Sequence, residues 1–298
     1  MTQAAAMDAS PLTELPAGSC DCHTHVFLDP RTYPFWPGRR YTPPPASIED
    51  LAQLHQGLGI ERVVIVQPSV YGADNAATLH ALQVLGPQRA RGVAVIDEGT
   101  SPGALRAMAA AGVRGVRVNL EVDGETDTGK ASRWLRAVAG RVGPLGWHVQ
   151  VFASLPLLGA CSELLHSLGL PLVFDHHAGA HARLGPDQQG LREVLRLVEA
   201  GKAYVKLSAP YRGSSAQDYA DLEPLTRLFV RANPERMLWG SDWPHPQPGV
   251  RPGPQEICPP HEVDLPRVLA SLAGWLDTRD RLRQVLVTNP ERLYGFSH

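Results

Sequence analysis

Leu238-Trp239-Gly240-Ser241-Asp242-Trp243-Pro244-His245-Pro246 decides how the chain is read. Met237-Leu238-Trp239 is an apolar run of the length of one short buried strand, and it stops at Gly240. Asp242 stands just past that end, under a loop stiffened by Pro244, Pro246, Pro248, Gly249, Pro252, Gly253 and Pro254. A carboxylate at the tip of a late strand is where a parallel barrel places reacting groups. Asp21-Cys22-His23-Thr24-His25, near the other end of the chain, is the stretch that has to meet it. In a strand, residues two apart project to the same face, so His23 and His25 are expected to point together.

Between these ends, apolar runs alternate with helical patterns. Strands are expected at 21–27, 62–67, 93–96, 113–119, 147–152, 172–175, 203–207 and 236–240. Val63-Val64-Ile65-Val66 is continuous, as in a strand buried on both faces of a parallel sheet. Helices are expected from Ser47, then at 75–85, 102–111, 132–142, 155–168, 190–200, 218–232, 265–275 and 278–287. Ser47 has the side chain to cap the first of these, and Glu49 and Asp50 suit its positive end. Strand–helix alternation implies right-handed crossovers and a parallel sheet. Eight such units in 298 residues fit an α/β fold of the (β/α)8 TIM type, as a single domain over 18–298. Closure makes the first and eighth strands neighbours, which sets His23 and His25 beside Asp242.

Composition narrows the function classes. Hydrophobic residues are 43%, charged residues 19% and the net charge is -2, which supports a large core and gives no electrostatic case for nucleic acid or an anionic membrane surface. No apolar run approaches the roughly 20 residues that span a bilayer. Residues 1–17 are small and polar, without the basic start and apolar centre of a secretory signal, and read as a flexible arm. Cys20, Cys22, Cys161 and Cys258 show no Cys-x-x-Cys spacing, so reduced thiols in a cytoplasmic protein are expected.

Polar residues gather just after the strands: His23, His25, Ser69, Arg117, His176, Arg212 and Asp242. Singly, each has a structural explanation, since a strand histidine is usually a satisfied core residue and a strand-end arginine usually caps a carbonyl. Seven at corresponding ends are hard to obtain from packing alone, and they point to a polar site at the barrel mouth.

Four segments carry a family resemblance: Asp21-Cys22-His23-Thr24-His25, Asp175-His176, Gly240-Ser241-Asp242-Trp243-Pro244-His245, and Thr288-Asn289-Pro290-Glu291-Arg292-Leu293-Tyr294-Gly295-Phe296. From Gly18 onward the chain resembles the amidohydrolase-2 branch of the amidohydrolase superfamily. Within it, Arg39-Arg40-Tyr41-Thr42-Pro43, Gln67-Pro68-Ser69-Val70-Tyr71-Gly72 and Gly115-Val116-Arg117 resemble 2-pyrone-4,6-dicarboxylate lactonases and their sugar-lactone relatives. The resemblance implies a hydrolase opening the ring of a small carboxylated lactone. Asp242 would activate water, and His23, His25 and His176, protonated, would polarise the carbonyl. Donors of that kind are worth about 3 kcal/mol each in other enzymes. Arg117, Arg212, Tyr41 and Ser69 would bind substrate, with Tyr41 packing in its proline-rich loop or Ser69 holding a turn as the alternatives. His177 and His245 read as supporting or surface groups, and Asp175 as a brace for His176 or nearby backbone.

Many members of the branch hold a zinc-like ion with two histidines of the first strand, one of the fifth and the eighth-strand aspartate. Here the fifth strand ends Gln150-Val151-Phe152-Ala153, and His148 belongs to its far end. His23, His25 and Asp242 could still hold a divalent ion such as zinc, which stays the alternative, but the resemblance to pyrone lactonases, which work without a divalent metal, implies none. After the sixth-strand histidine the family's early arginine is missing, with Arg183 further on, and the loop after the fourth strand carries Glu121, Asp123, Glu125 and Asp127 with no arginine before Arg133. Fewer cations for a dianion leave a monocarboxylate or sugar-acid lactone open as substrate. Two rivals stand beside this reading: a metal-dependent decarboxylase of an aromatic or unsaturated acid, and a barrel that binds a ligand without turning it over. Assembly of like chains into a homo-oligomer is left open.

Overall fold

The computed structural model describes residues 14–122, 124–247 and 253–296. Most of the expected arm at 1–17, with Asp123, Pro248, Gly249 and Pro252, lies outside them; at the arm's described end Leu15 packs against the core.

Eight strands follow in chain order: β1 (Cys20–Thr24), β2 (Arg62–Val66), β3 (Ala90–Ala94), β4 (Val113–Asn119), β5 (His148–Phe152), β6 (Leu172–Phe174), β7 (Ala203–Ser208) and β8 (Met237–Gly240). Each pairs in parallel with the next, and helices form the connections. The expected (β/α)8 architecture is observed.

The seam between β8 and β1 closes by other means than a regular ladder. Just past β8, Asp242 N donates to the His23 carbonyl at 2.8 Å, and His25 N donates to that of Trp243 at 2.8 Å. The buried Asp21 carboxylate accepts from Ser241 N at 2.9 Å and His23 N at 3.1 Å, while His55 Nε2 lies 3.3 Å from its other oxygen. Gly240 permits the approach, because a Cβ there would stand 2.6 Å from His23 Cβ and 2.8 Å from His23 N.

Alternation within the strands separates two apolar regions. Ala203, Val205 and Leu207 of β7 face the helices, whereas Tyr204 packs in the lumen with Cys22, Val66, Val173, Leu238 and Tyr294. The lumen face of β7 therefore also presents Lys206 and Ser208. β1 pairing shifts register between Asp21 and Thr24.

Several boundaries differ from expectation. β1 ends at Thr24, so His25 lies just beyond it. β3 is Ala90–Ala94 rather than 93–96. Its Arg91 hid the strand by its charge, yet it is buried, donating from Nε to Tyr294 O at 3.1 Å and from Nη2 to Gly295 O at 2.7 Å. The helix expected at 155–168 is two, Leu155–Ala160 and Ser162–Ser167, separated at Cys161. The acidic loop before the fourth helix is partly structural: Asp127 caps helix Thr128–Val142 by accepting from Lys130 N. The Ser47 cap is observed with Asp50 completing a reciprocal capping box. Among the described residues no helix is long and apolar enough to cross a membrane, and all four cysteines are free and buried.

Candidate active site

The C-terminal ends of the strands bring His23, His25, His176 and Asp242 together. Asp242 Oδ1 lies 3.4 Å from His23 Nε2, 3.4 Å from His25 Nε2 and 3.9 Å from His176 Nε2. His23 Nε2 and Asp242 Oδ1 are buried and have no hydrogen-bond partner. The two atoms face each other across 3.4 Å. The other carboxylate oxygen, Oδ2, is held by the Tyr211 hydroxyl and lies 3.6 Å from Arg212 Nη2.

Asp242 has φ 60°, and His176, His177 and Ala178 have φ 50°, 53° and 56°. Left-handed backbone at non-glycine residues costs of order 1 kcal/mol or more each, and such strain collects where side-chain aim matters. His176 Nδ1 meets Ser208 Oγ at 2.9 Å, and its ring packs edge-on against Phe152 at 5.0 Å. Phe152 thus fills the fifth-strand tip with an aromatic wall. His25 Nδ1 lies 2.8 Å from the Val66 carbonyl, which can only accept. That nitrogen carries a proton, and in this tautomer Nε2 presents a lone pair.

Sequence reading did not find Lys206, Gln150 or Tyr211 as site residues. Lys206 is fully buried, with Nζ 2.7 Å from Gln150 Oε1, 3.2 Å from His23 Nδ1 and 3.8 Å from Asp175 Oδ1. Its signal was a lysine inside an otherwise apolar strand. Asp175, read as a brace for His176 or nearby backbone, has other side-chain partners. It accepts from Arg117 Nε at 3.0 Å and faces His23 Nδ1 at 3.3 Å.

Of the expected substrate contacts, Arg117 and Arg212 flank the Phe152 ring with guanidinium carbons 5.2 and 5.4 Å from its centroid. Tyr41 is buried, shares a hydrogen bond with Ser69, and lies within the fields of Arg117, Asp242 and Arg212. His177 is turned away from the cluster, to Thr226 Oγ1 at 3.2 Å. His245 donates its backbone N–H to Asp242 O at 2.7 Å and so shapes the loop. His148 packs at the far end of β5 against Tyr294, as expected.

Burial pushes the Asp242 carboxyl up, but the positive partners around it, Arg212 among them, outweigh it and hold it well below the usual carboxylate range. Burial and the Lys206 charge pull His23 down to about 3. Burial likewise lowers His176. The expectation of protonated histidines therefore fails for both rings, because desolvation exceeds the attraction of the acids. Burial lowers Lys206 to about 8 against the pull of Asp175, which leaves it mainly an ammonium at neutral pH.

A cavity of about 650 Å³ opens beside this cluster, lined by Phe152, His176, Arg183, Tyr211, Arg212, His261 and Glu121. A smaller pocket of about 110 Å³ is lined by Arg39, Arg40, Ser69, Arg117 and Asn119. Arg183, which looked remote in the sequence, is thus a wall residue, as is Arg40. The supply of positive charge is larger than the motif spacing implied.

His23, His25 and Asp242 offer ligand atoms within 4.8 Å of one another, as do His23, Asp175 and His176. With two orphaned buried atoms among them, this set fits a divalent cation by position. The fifth strand adds none of these donors.

Comparison with known proteins agrees with the geometry. A 4-sulfomuconolactone hydrolase of Hydrogenophaga intermedia is 33% identical over 94% of this chain and 90% of its own. A 2-pyrone-4,6-dicarboxylate hydrolase of Comamonas testosteroni is 34% identical over 96% and 93%. An apo crystal structure from Agrobacterium tumefaciens superposes with TM-score 0.80 at 30% identity, covering 97% of this chain and 99% of that one. A Burkholderia multivorans amidohydrolase crystallised with bound zinc shares the fold at TM-score 0.68 and 18% identity, over 94% of this chain and 100% of that one. The amidohydrolase family matches residues 20–296, nearly the whole chain, and the chain belongs to it.

Proposed function

We propose that this chain is an enzyme that hydrolyses the ring ester of a small carboxylated lactone. The observation that carries the reading is the unpaired Asp242 Oδ1, met by three imidazoles beside a cavity with arginines in its wall. Relatives named for lactone hydrolysis support the same substrate class.

Tyr211 and Arg212 fix Oδ2 and leave Oδ1 to take a proton from water. The water oxygen adds to the lactone carbonyl, and its electrons move onto the carbonyl oxygen. An imidazole N–H at the cluster stabilises that oxyanion. When the tetrahedral adduct collapses, the ring C–O bond breaks and Asp242 returns its proton to the leaving oxygen or to solvent. An enolate leaving group, as in a pyrone, makes this bond easy to break. Arg117, with Nε tied to Asp175, has its Nη atoms left for a substrate carboxylate, and Arg212 offers a second planar donor. Tyr41 and Ser69 supply hydroxyls to the same end. A divalent ion such as zinc, if bound, would be held by His23, His25 and Asp242 and would supply Lewis-acid polarisation of the carbonyl.

The test is a panel of carboxylated lactones, including 2-pyrone-4,6-dicarboxylate and sugar-acid lactones, assayed with and without chelator. Ring opening is expected, and Asp242→Asn is expected to lower kcat by about a thousandfold at unchanged circular dichroism. Carbon dioxide release from an aromatic or unsaturated acid, with no lactone opened, would replace this reading with the decarboxylase. Activity untouched in Asp242→Asn would end the catalytic assignment.

A further inference from the structure

We propose that Lys206 is a positioning residue: it commits His23 to donating from Nε2, and so does from inside the barrel the polarising work of a bound cation. An ammonium has three donors and no acceptor. Lys206 Nζ directs one at Gln150 Oε1, 2.7 Å away, and one at His23 Nδ1, 3.2 Å away. His23 Nδ1 must then accept, and the single proton of the neutral ring sits on Nε2, the atom that faces Asp242 Oδ1. Asp175 competes for the same nitrogen at 3.3 Å, but its Oδ2 is taken by Arg117 and its Oδ1 also faces Lys206 Nζ, at 3.8 Å.

His25 is fixed the opposite way by the Val66 carbonyl. The two rings stand 5.0 Å apart at 87°, one offering an N–H and the other a lone pair. That pairing suits a carbonyl oxygen beside a water, the two partners that hydrolysis brings together. It does not suit a metal ion, which needs lone pairs from both rings. By position the site accepts a cation; by protonation His23 is withheld from it.

Charge points the same way. Arg117, Lys206 and Arg212 face Asp175 and Asp242, so with neutral imidazoles this buried cluster already carries a net positive charge. A dication would be added against that charge at low dielectric, whereas an anionic substrate is drawn to it. The polarising role rests on the lactonase reading; the tautomer does not.

The experiment is a long-range proton–nitrogen spectrum of the full chain labelled with nitrogen-15 histidine, with His23 assigned from His23→Gln. His23 is expected as the Nε2–H tautomer and His25 as Nδ1–H. The same chain, equilibrated with zinc and desalted, is expected to retain no stoichiometric metal. In Lys206→Met the His23 tautomer is expected to change and zinc to be retained at one per chain. Its kcat on an accepted lactone should fall about a hundredfold with KM little changed. An Nδ1–H His23 in the unmodified chain, a tightly held zinc there, or an unaltered tautomer in Lys206→Met overturns the proposal. Should Lys206→Met fail to fold, the unmodified chain's tautomer and zinc content decide alone. Failure of every lactone would remove the hydrolase reading and leave the tautomer result standing.

Discussion

Asp242 is defined by what holds its two oxygens differently. Tyr211 donates to Oδ2, and the Tyr211 ring is itself stacked on His261 at 4.0 Å. A hydrogen bond to the ionised form favours ionisation, so its loss raises the carboxyl's pKa. Tyr211→Phe is expected to move the acid limb of the kcat/KM profile to higher pH and to lower kcat about tenfold; an unmoved limb would deny the hydroxyl this role. Arg183 tests the substrate's charge. It lines the main cavity away from Arg117. Arg183→Ala should raise KM about tenfold for a dicarboxylated lactone and leave a monocarboxylate unaffected, which steady-state kinetics on the two substrates will read. Equal effects on both would place Arg183 at the shared carboxylate instead.

At the scale of elements, the β8–β1 seam is the joint on which the site depends. Gly240 has no room for a side chain, since His23 backbone and Cβ stand where its Cβ would be. Gly240→Ala is expected to cost about 1–3 kcal/mol, the range for overpacking, and to lower kcat by displacing His23 from Asp242. Gly57 is the matched control: it is exposed in helix Ile48–Leu58 with nothing near its would-be Cβ. Gly57→Ala should gain up to about 1 kcal/mol from helix propensity without touching activity. Urea midpoints of the two variants, moving in opposite directions, check both.

For the whole molecule, the buried histidines set an acid limit. Burial lowers His23 and His148 to about 3 and His177 and His245 to about 4 in the folded state. The unfolded chain binds these protons near the ordinary value of about 6.5, so it holds more protons than the fold between there and 3–4. Stability therefore rises with pH across that window and is lost as pH falls through it. Each such ring costs about 2 kcal/mol at pH 5. Asp175 and Asp242, both held low, act with the same sign at still lower pH. The thermal midpoint is expected to be steady between about pH 7 and 8 and to fall steeply below about 6. His148→Leu, which removes a ring with two unpaired buried nitrogens, should make that fall shallower. A flat profile from pH 7 to 5 would contradict the neutral burial of these rings.

The sequence by itself determined the eightfold alternation, because continuous buried runs and capped amphipathic helices are local properties. It also determined that His23, His25, His176 and Asp242 lie at one mouth, because strand ends in a parallel barrel share a rim. It misplaced β3, where the charge of Arg91 masked a buried strand, and it split no helix at Cys161. Only the tertiary structure decided what fills the lumen and who holds whose proton. Lys206 reaches Gln150 on β5 and His23 on β1 across the barrel, and Asp175 turns to Arg117 rather than its neighbour His176. Such pairings depend on strand tilt, register and the register shift in β1, which close the ring over long separations. No local propensity encodes them, and the tautomer of each histidine follows from them.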